Sequence, residues 1–297
     1  MDPPTVVMLS YSHVKPANLD SFRRAAVRRG IRLEEWEPHD VTVWCDGSGG
    51  TPLYRDREVV PSVVVHRTVS RLSGVVVPAL LLWQQRDAFV LNDPVWSLVA
   101  RDKLACALRL VEADVPVVPS LGFHPSASTT LERCGPGALV VKPAHGLEGR
   151  GVTFHPSAGD EVATRALDDA DAFVREHFVA QPATGPPGED IRAFVVSGRC
   201  IAMVRRHAGP AGGDRANLSL GGRAVPLDVD HPAAAIAVSA TAALHLDHAG
   251  VDMVETEEGV AVLEVDAWAG FSGLEQATQA DVAGAILDAA CSRLACR

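Results

Sequence analysis

Only three of the 27 basic residues are lysine: Lys15, Lys103 and Lys142. Arginine serves almost everywhere else, so each lysine nominates a place where a compact ammonium is needed and a planar guanidinium does not fit. Lys142 ends the run Ala138-Leu139-Val140-Val141 and opens a loop with glycines at Gly146, Gly149 and Gly151. A strand that delivers a lysine into such a loop lets backbone N–H groups approach an anion closely. Phosphate is the natural ligand, with Lys142 as the point charge. The order differs from a Walker loop, where the lysine follows the glycines, and from the dinucleotide fingerprint. A plain glycine turn between two strands would carry the same residues.

A second constellation is acidic: Gly250-Val251-Asp252 and Val262-Leu263-Glu264-Val265-Asp266. Glu264 and Asp266 are two apart on an apolar strand, so both side chains point to one face. Adjacent acids repel unless a cation lies between them, and hard carboxylate oxygens suit Mg²⁺. Two solvated acids at a strand end are the alternative. A third group is basic: Gly188-Glu189-Asp190-Ile191-Arg192, Arg205-Arg206 and Gly213-Asp214-Arg215-Ala216-Asn217-Leu218. Clustered arginines in an acidic chain pair with surface acids or clamp phosphate.

These residues need elements to hold them. Thr5-Val6-Val7-Met8-Leu9-Ser10 has the pattern of a buried strand, and residues 19–29 read as a helix stopped by Gly30. A turn-rich stretch at 46–50 precedes strands at 61–65 and 88–91, with a helix between them beginning after Pro78. That alternation implies a parallel α/β layer, assigned to residues 1–94. Leu98, Leu104, Leu108 and Val111 recur near helical spacing, predicting one helix over 97–112. Residues 168–178 are predicted helical and 182–188 form a linker, which divides a central domain, 95–181, from a C-terminal one, 182–297. In the latter, 191–196 and 200–204 form a hairpin turning at Ser197-Gly198. An Ala-rich helix spans 232–248, a strand 260–265 and a closing helix 281–294. His245 and His248, three apart near the end of that Ala-rich helix, read as a solvated face rather than a metal site.

Composition bounds the function. The chain has 297 residues, 47% hydrophobic and 22% charged, in keeping with an ordinary globular protein of about two or more domains. A net charge of −10 argues against a nucleic-acid partner. The most apolar stretch, 74–83, is too short to span a membrane, and the N-terminus lacks the order of a signal peptide. Six scattered cysteines fit a reduced, cytoplasmic enzyme.

The succession Arg101-Asp102-Lys103, Val141-Lys142-Pro143, Asp190-Ile191-Arg192, Arg215-Ala216-Asn217-Leu218, Gly250-Val251-Asp252 and Leu263-Glu264-Val265-Asp266 resembles the ATP-grasp superfamily. More narrowly it resembles the RimK and LysX carboxylate–amine ligases, over about three quarters of the chain from His66-Arg67-Thr68-Val69-Ser70-Arg71 through Asn92-Asp93-Pro94 to Asp281-Val282-Ala283. The resemblance implies an α/β (α+β) ATP-grasp fold, with a Rossmann-like N-terminal domain ahead of central and C-terminal domains that hold ATP between them. It implies that Lys103, Lys142 and the glycines at 146, 149 and 151 meet the ATP phosphates, and that Gln181, Asp190, Arg215, Ala216 and Asn217 line the nucleotide site. Asp252, Glu264 and Asp266 would hold Mg²⁺ or Mn²⁺, while Arg192, Arg206 and Asn217 would act on the transferring phosphate. Arg67, Arg71, Ser272 and Gly273 would face substrate, and Trp268, where relatives often carry a small residue or Pro, would reshape that pocket.

The implied reaction moves the γ-phosphoryl group of ATP onto a carboxylate, after which an amine displaces phosphate to give an amide. Small-molecule carboxylate and amine substrates, amino acids or a short peptide, are expected, with ligation to a protein or carrier tail and non-catalytic nucleotide binding as alternatives. No nucleic-acid or membrane partner is expected, and a homo-oligomer, a dimer or tetramer, is. Residues 146–151 and 207–214 are expected to close over the site. Two departures stand out: Asp266 replaces the family's usual Asn, and Gln181-Pro182-Ala183 replaces an acidic–aromatic pair at the adenine hinge. Pro182 has no N–H to donate, which leaves GTP open beside ATP.

Overall fold

The computed structural model describes residues 3–13, 16–68, 74–124, 131–146, 151–157, 177–209 and 221–295. The chain opens with β1 (Thr5–Ser10), α1 (Pro16–Arg29) and β2 (Arg32–Trp36). A small antiparallel sheet follows, made of β3 (Val41–Asp46), β4 (Gly49–Tyr54) and β5 (Arg57–Glu58), and then β6 (Val63–Arg67), α2 (Val76–Gln84) and β7 (Phe89–Leu91). Strands β2, β1, β6 and β7 form, in that order, a parallel sheet. Val6–Leu9 and Val63–Val65 are buried throughout, as central parallel strands covered on both faces must be.

The expected single helix over 97–112 is two helices, α3 (Pro94–Arg101) and α4 (Lys103–Glu112). Asp102 between them is extended, at φ −78° and ψ 111°, and its side chain accepts from the N–H groups of Leu104 and Ala105. An N-cap residue thus interrupts the periodic stripe and starts a new helix. The new helix buries Cys106 and Leu110, while Leu98, Leu108 and Val111 face solvent. The break places Lys103 at the first position of α4.

A second sheet contains β8 (Leu121–Phe123), β9 (Leu139–Pro143), β10 (Thr153–His155) and β11 (Phe178–Pro182), antiparallel in the order β10-β9-β11-β8. Its own core is Phe123, Leu131, Leu139, Val141, Phe178 and Ala180. The helix expected over 168–178 lies outside the described residues up to 176, and at its end Phe178 opens a strand instead.

The third sheet, order β14-β13-β12-β15-β16, is antiparallel and contains β12 (Glu189–Val196), β13 (Arg199–His207), β14 (Arg223–Leu227), β15 (His248–Thr256) and β16 (Gly259–Asp266). Ser197 and Gly198, both at positive φ, turn the β12–β13 hairpin as expected. The Ala-rich helix α5 (Pro232–Ala243) ends earlier than expected: His245 sits at φ 50°, and His248 begins β15. His248 is therefore no solvated helix residue; its imidazole is fully buried. Helices α6 (Ser272–Thr278) and α7 (Val282–Ala295) close the chain.

One face of this sheet, through Ile191, Ala193, Val195, Val251 and Met253, packs on the alanines of α5. On the other face Phe194, Val196 and Ala202 join α1, β6, α6 and α7 in one core. The polar end of that same face is left for the site. Helices α3 and α4 pack on β16 and α5, and Val262 exchanges backbone hydrogen bonds with Pro116 and Val118 alongside.

Candidate active site

Strand pleat and register assemble the charged row. Asp190 and Arg192 share a face of β12 because they are two apart, and Arg206 on β13 lies opposite Asp190. On the other side Arg192 is opposite Asp252 of β15, which in turn is opposite Glu264 of β16; Asp266 lies opposite Gly250. Four strands thus turn Asp190, Arg192, Arg206, Asp252, Glu264 and Asp266 toward one cleft of about 1060 Å³.

These groups are mutually paired. Arg206 Nε and Nη2 donate to the two oxygens of Asp190 at 2.6 and 2.5 Å, and Nη2 lies 3.0 Å from Asp252 Oδ1. Arg192 grips Asp252 with two donors, Nη2 reaching Oδ2 at 2.6 Å. Burial would raise the carboxyl of Asp252, but Arg192 and Arg206 hold it down to about 2. Glu264 is half-buried, and although desolvation raises its carboxyl, Lys103 and Lys142 keep it below the ordinary range.

The opposite wall brings the two lysines. Lys142, buried at the end of β9, has its ammonium pushed below the ordinary value by burial, opposed by Glu264. Lys103 Nζ donates to Gly146 O at 3.0 Å and stands 3.5 Å from Glu264 Oε2, so it bridges the glycine loop and the acid strand. Its backbone N–H donates to Ala144 O, and His145 Nε2 lies 3.2 Å from Asp102 Oδ2. Gly151 is at φ 70°, and a Cβ there would come within 2.9 Å of Pro143, so glycine is required.

Away from the charges the cleft is apolar, lined by Ala138, Val140, Val152, Phe154, Pro182 and Ala183. Gln181 is buried and donates to Ser120 Oγ at 2.9 Å, while the N–H of Ala183 is used within the sheet, donating to Ala138 O at 2.8 Å.

Among the expected residues, Lys103, Lys142, Gly146, Gln181, Asp190, Arg192, Arg206, Asp252, Glu264, Asp266, Ser272 and Gly273 line the cleft. Gly149, Arg71, Arg215, Ala216, Asn217 and most of both expected closing segments lie outside the described residues. Arg67 is brought elsewhere: it is buried behind the cleft wall, donating to the carbonyls of Trp268 and Ala269. Arg101 lines the cleft from the last turn of α3, near Asp266. The only sequence signal for it was its place beside Asp102 and Lys103.

The acids offer the hard oxygens that Mg²⁺ takes, and Asp252 and Glu264 are cross-strand neighbours. Among the described residues, however, no three His, Cys, Asp or Glu side chains are gathered tightly enough to hold an ion. The reason is visible in the pairing. Asp252 turns both oxygens to guanidinium groups, and Asp266 Oδ1 accepts from the N–H of Trp268 at 2.9 Å.

Comparison with known proteins agrees with this architecture. The profile of the RimK-like ATP-grasp domain matches residues 100–290. A probable alpha-L-glutamate ligase of Serratia proteamaculans is 32% identical over 269 residues, covering 89% of this chain and 88% of its own. The ribosomal protein bS6–L-glutamate ligase of Escherichia fergusonii is 30% identical over 270 residues, covering 90% and 89%. Among solved structures, the ATP-grasp ligase PsnB complexed with a minimal precursor superposes with a TM-score of 0.73 at 20% identity, over 99% of this chain and 100% of that one. D-cycloserine synthetase DcsG gives 0.72 at 20%, over 98% and 99%. At that identity the likeness shows the fold, which is ATP-grasp. A lysine pair facing an arginine–acid row across one cleft, on that fold and with those relatives, makes the chain a member of the RimK-like ATP-grasp family and a carboxylate–amine ligase.

Proposed function

We propose that the enzyme binds ATP in this cleft, phosphorylates a carboxylate and couples the acyl phosphate to an amine of an amino acid or short peptide, releasing ADP and phosphate. The observation that carries this reading is the division of the cleft into an apolar slot and a charged end where cations and acids are paired. A planar base fits the slot, while Lys103, Lys142, Arg192 and Arg206 face the other end. The central domain 95–181 and C-terminal domain 182–297 supply the two walls in this reading.

Lys142 and Lys103 hold the β- and γ-phosphates. Asp252 and Glu264, with Asp266 next to them, are the residues that would hold Mg²⁺, whose charge screens the phosphates when bound. Arg192 and Arg206 are already gripped by carboxylates and exchange them for phosphoryl oxygens. Charge on the transferring group is neutralised by groups already in place, the main source of acceleration in phosphoryl transfer. A substrate carboxylate oxygen attacks the γ-phosphorus and ADP leaves. An uncharged amine then attacks the acyl carbon, phosphate leaves with the C–O electrons, and the nitrogen loses a proton. Water is kept from the acyl phosphate by the enclosing walls.

The full-length likeness to a ligase acting on ribosomal protein bS6 favours a second reading, in which the amino acid is added to the end of a protein or carrier chain. The experiment for both is ADP and phosphate release with Mg²⁺ and ATP or GTP against pooled amino acids, read by mass spectrometry. A product equal to both substrates minus water supports the first reading. Turnover only with a peptide or protein acceptor supports the second. AMP and pyrophosphate would overturn the acyl-phosphate route.

A further inference from the structure

Three successive carbonyls in the loop after the acid strand are held from the N-terminal sheet. Asn92 Nδ2 donates to Ala267 O at 3.1 Å, and Arg67 Nη2 donates to Trp268 O at 3.0 Å and to Ala269 O at 2.6 Å. His66 completes the contact: its Nδ1 accepts from the indole N–H of Trp268 at 3.3 Å, and its Nε2 donates to Asn92 O at 2.9 Å. Asn92 also clamps β15, donating to His248 O at 2.8 Å and accepting from His248 N at 2.9 Å. The three residues stand at or just beyond the ends of β6 and β7, and Arg67 is about two hundred positions from the carbonyls it holds.

The loop's other side belongs to the active site. Trp268 and Gly270 line the cleft, and the N–H groups of Trp268 and Ala269 donate to the side chain and the carbonyl of Asp266. From this two-sided bonding we infer that Arg67, Asn92 and His66 are positioning residues for the ligase reaction: they fix Asp266 and the substrate wall by holding residues 267–269 from behind.

Arg67 suits this task better than any neutral residue. Buried C=O groups need donors, and one guanidinium bridging two successive carbonyls fixes their plane as well as their distance. Its carbon lies 5.2 Å from the Phe271 ring centroid and 5.9 Å from that of Phe22, which limits its rotation. Among the described residues no carboxylate touches the Arg67 guanidinium, and burying a charge in that way is unfavourable, so packing alone does not account for it. The neighbouring Asp266, Trp268 and Gly270 must hold their places to a fraction of an ångström for efficient group transfer.

The inference rests on the ligase reading, and the test separates the two. Arg67→Met and Arg67→Lys are compared with wild type in kcat and KM, in ADP affinity by calorimetry, and in Mn²⁺ affinity in the presence of ADP by EPR. Arg28→Gln, at an exposed ion pair, serves as the control. The expected result for Arg67→Met is a kcat lower by about a hundredfold with ADP affinity within about twofold of wild type. Mn²⁺ binding should weaken by about tenfold, and Arg67→Lys, which keeps the charge and donors but not the planar fork, should fall between. Wild-type kcat per ADP site overturns the inference, as does a parallel loss of kcat and ADP affinity. Should Arg67→Met fail to fold, Arg67→Lys decides on the same criteria. Should wild type show no turnover, the ligase reading fails, and unchanged Mn²⁺ affinity in the variants would overturn the clamp as well.

Discussion

Two buried charged clusters lie on either side of the Ala267–Ala269 backbone, and they are built by opposite rules. In the cleft the charges of the row are paired with opposite charges: Arg206 with Asp190 and Asp252, Arg192 with Asp252, Lys103 with Glu264. At the junction the hydrogen-bond partners of Arg67 among the described residues are carbonyls, and burial lowers its guanidinium to about 10, with Asp266 opposing at a distance. A carboxylate partner can be exchanged for a phosphoryl oxygen of the same charge. A backbone carbonyl cannot be replaced by a ligand without dismantling the loop. The first cluster is therefore suited to bind and react, the second to hold a shape.

The largest effect should come from the exchangeable side. Arg206→Gln should lower kcat by about a thousandfold, and it also strands Asp190, so thermal unfolding should show a loss of about 3 kcal/mol. A variant with full activity would place Arg206 among the purely structural charges. On the junction side His66 and His248 are held neutral by burial, His66 down to about 4 and His248 well below its usual value. The unfolded chain binds more protons than the native one between pH 4 and 6.5, so stability falls as pH drops through that window. The loss for His66 should approach about 3 kcal/mol by urea titration, and be smaller in His66→Asn.

Asp266 belongs to both clusters and sharpens the boundary between them. Asp266→Asn retains an oxygen for the Trp268 N–H and should keep activity within about tenfold, whereas Asp266→Ala should lose about a hundredfold in steady-state assays. Equal activity in both variants would remove Asp266 from the site. Lys142, with its pKa lowered by burial, should give an alkaline limb in kcat beginning below the range of an exposed lysine. Lys142→Arg should erase that limb from the pH profile. The smallest change belongs to the surface: Arg28→Gln, at its half-exposed pair with Asp281, should shift stability by less than about 1 kcal/mol in the same urea assay.

The reactive cluster was more legible in sequence than the structural one. Glu264 and Asp266 could be put on one face from the period of two alone, and Lys142 stood out through lysine scarcity. Strands such as Val63–Val65 announced themselves by continuous β-branched burial. The two-helix break at Asp102 was hidden because an N-cap aspartate within a good apolar stripe looks like any exposed helical residue. The early end of α5 was hidden because the alanine run is followed by histidines that suit a turn or a strand equally. Arg67 was placed facing substrate, and its true direction depends on carbonyls some two hundred residues away. Backbone carbonyls leave no mark in the side-chain pattern, so a clamp made on them cannot be found by motif.

The clamp also determines how this enzyme can be recombined. An N-terminal sheet taken from a relative to change substrate would bring its own residues to positions 66, 67 and 92. The loop at 267–269 would remain that of the host. A chimera joined between the N-terminal sheet and α3 would therefore separate donors from the carbonyls they fit, although it cuts no secondary structure. The transferable unit is discontinuous: the ends of β6 and β7 must travel with the turn after β16, and with the indole of Trp268 that seats on His66.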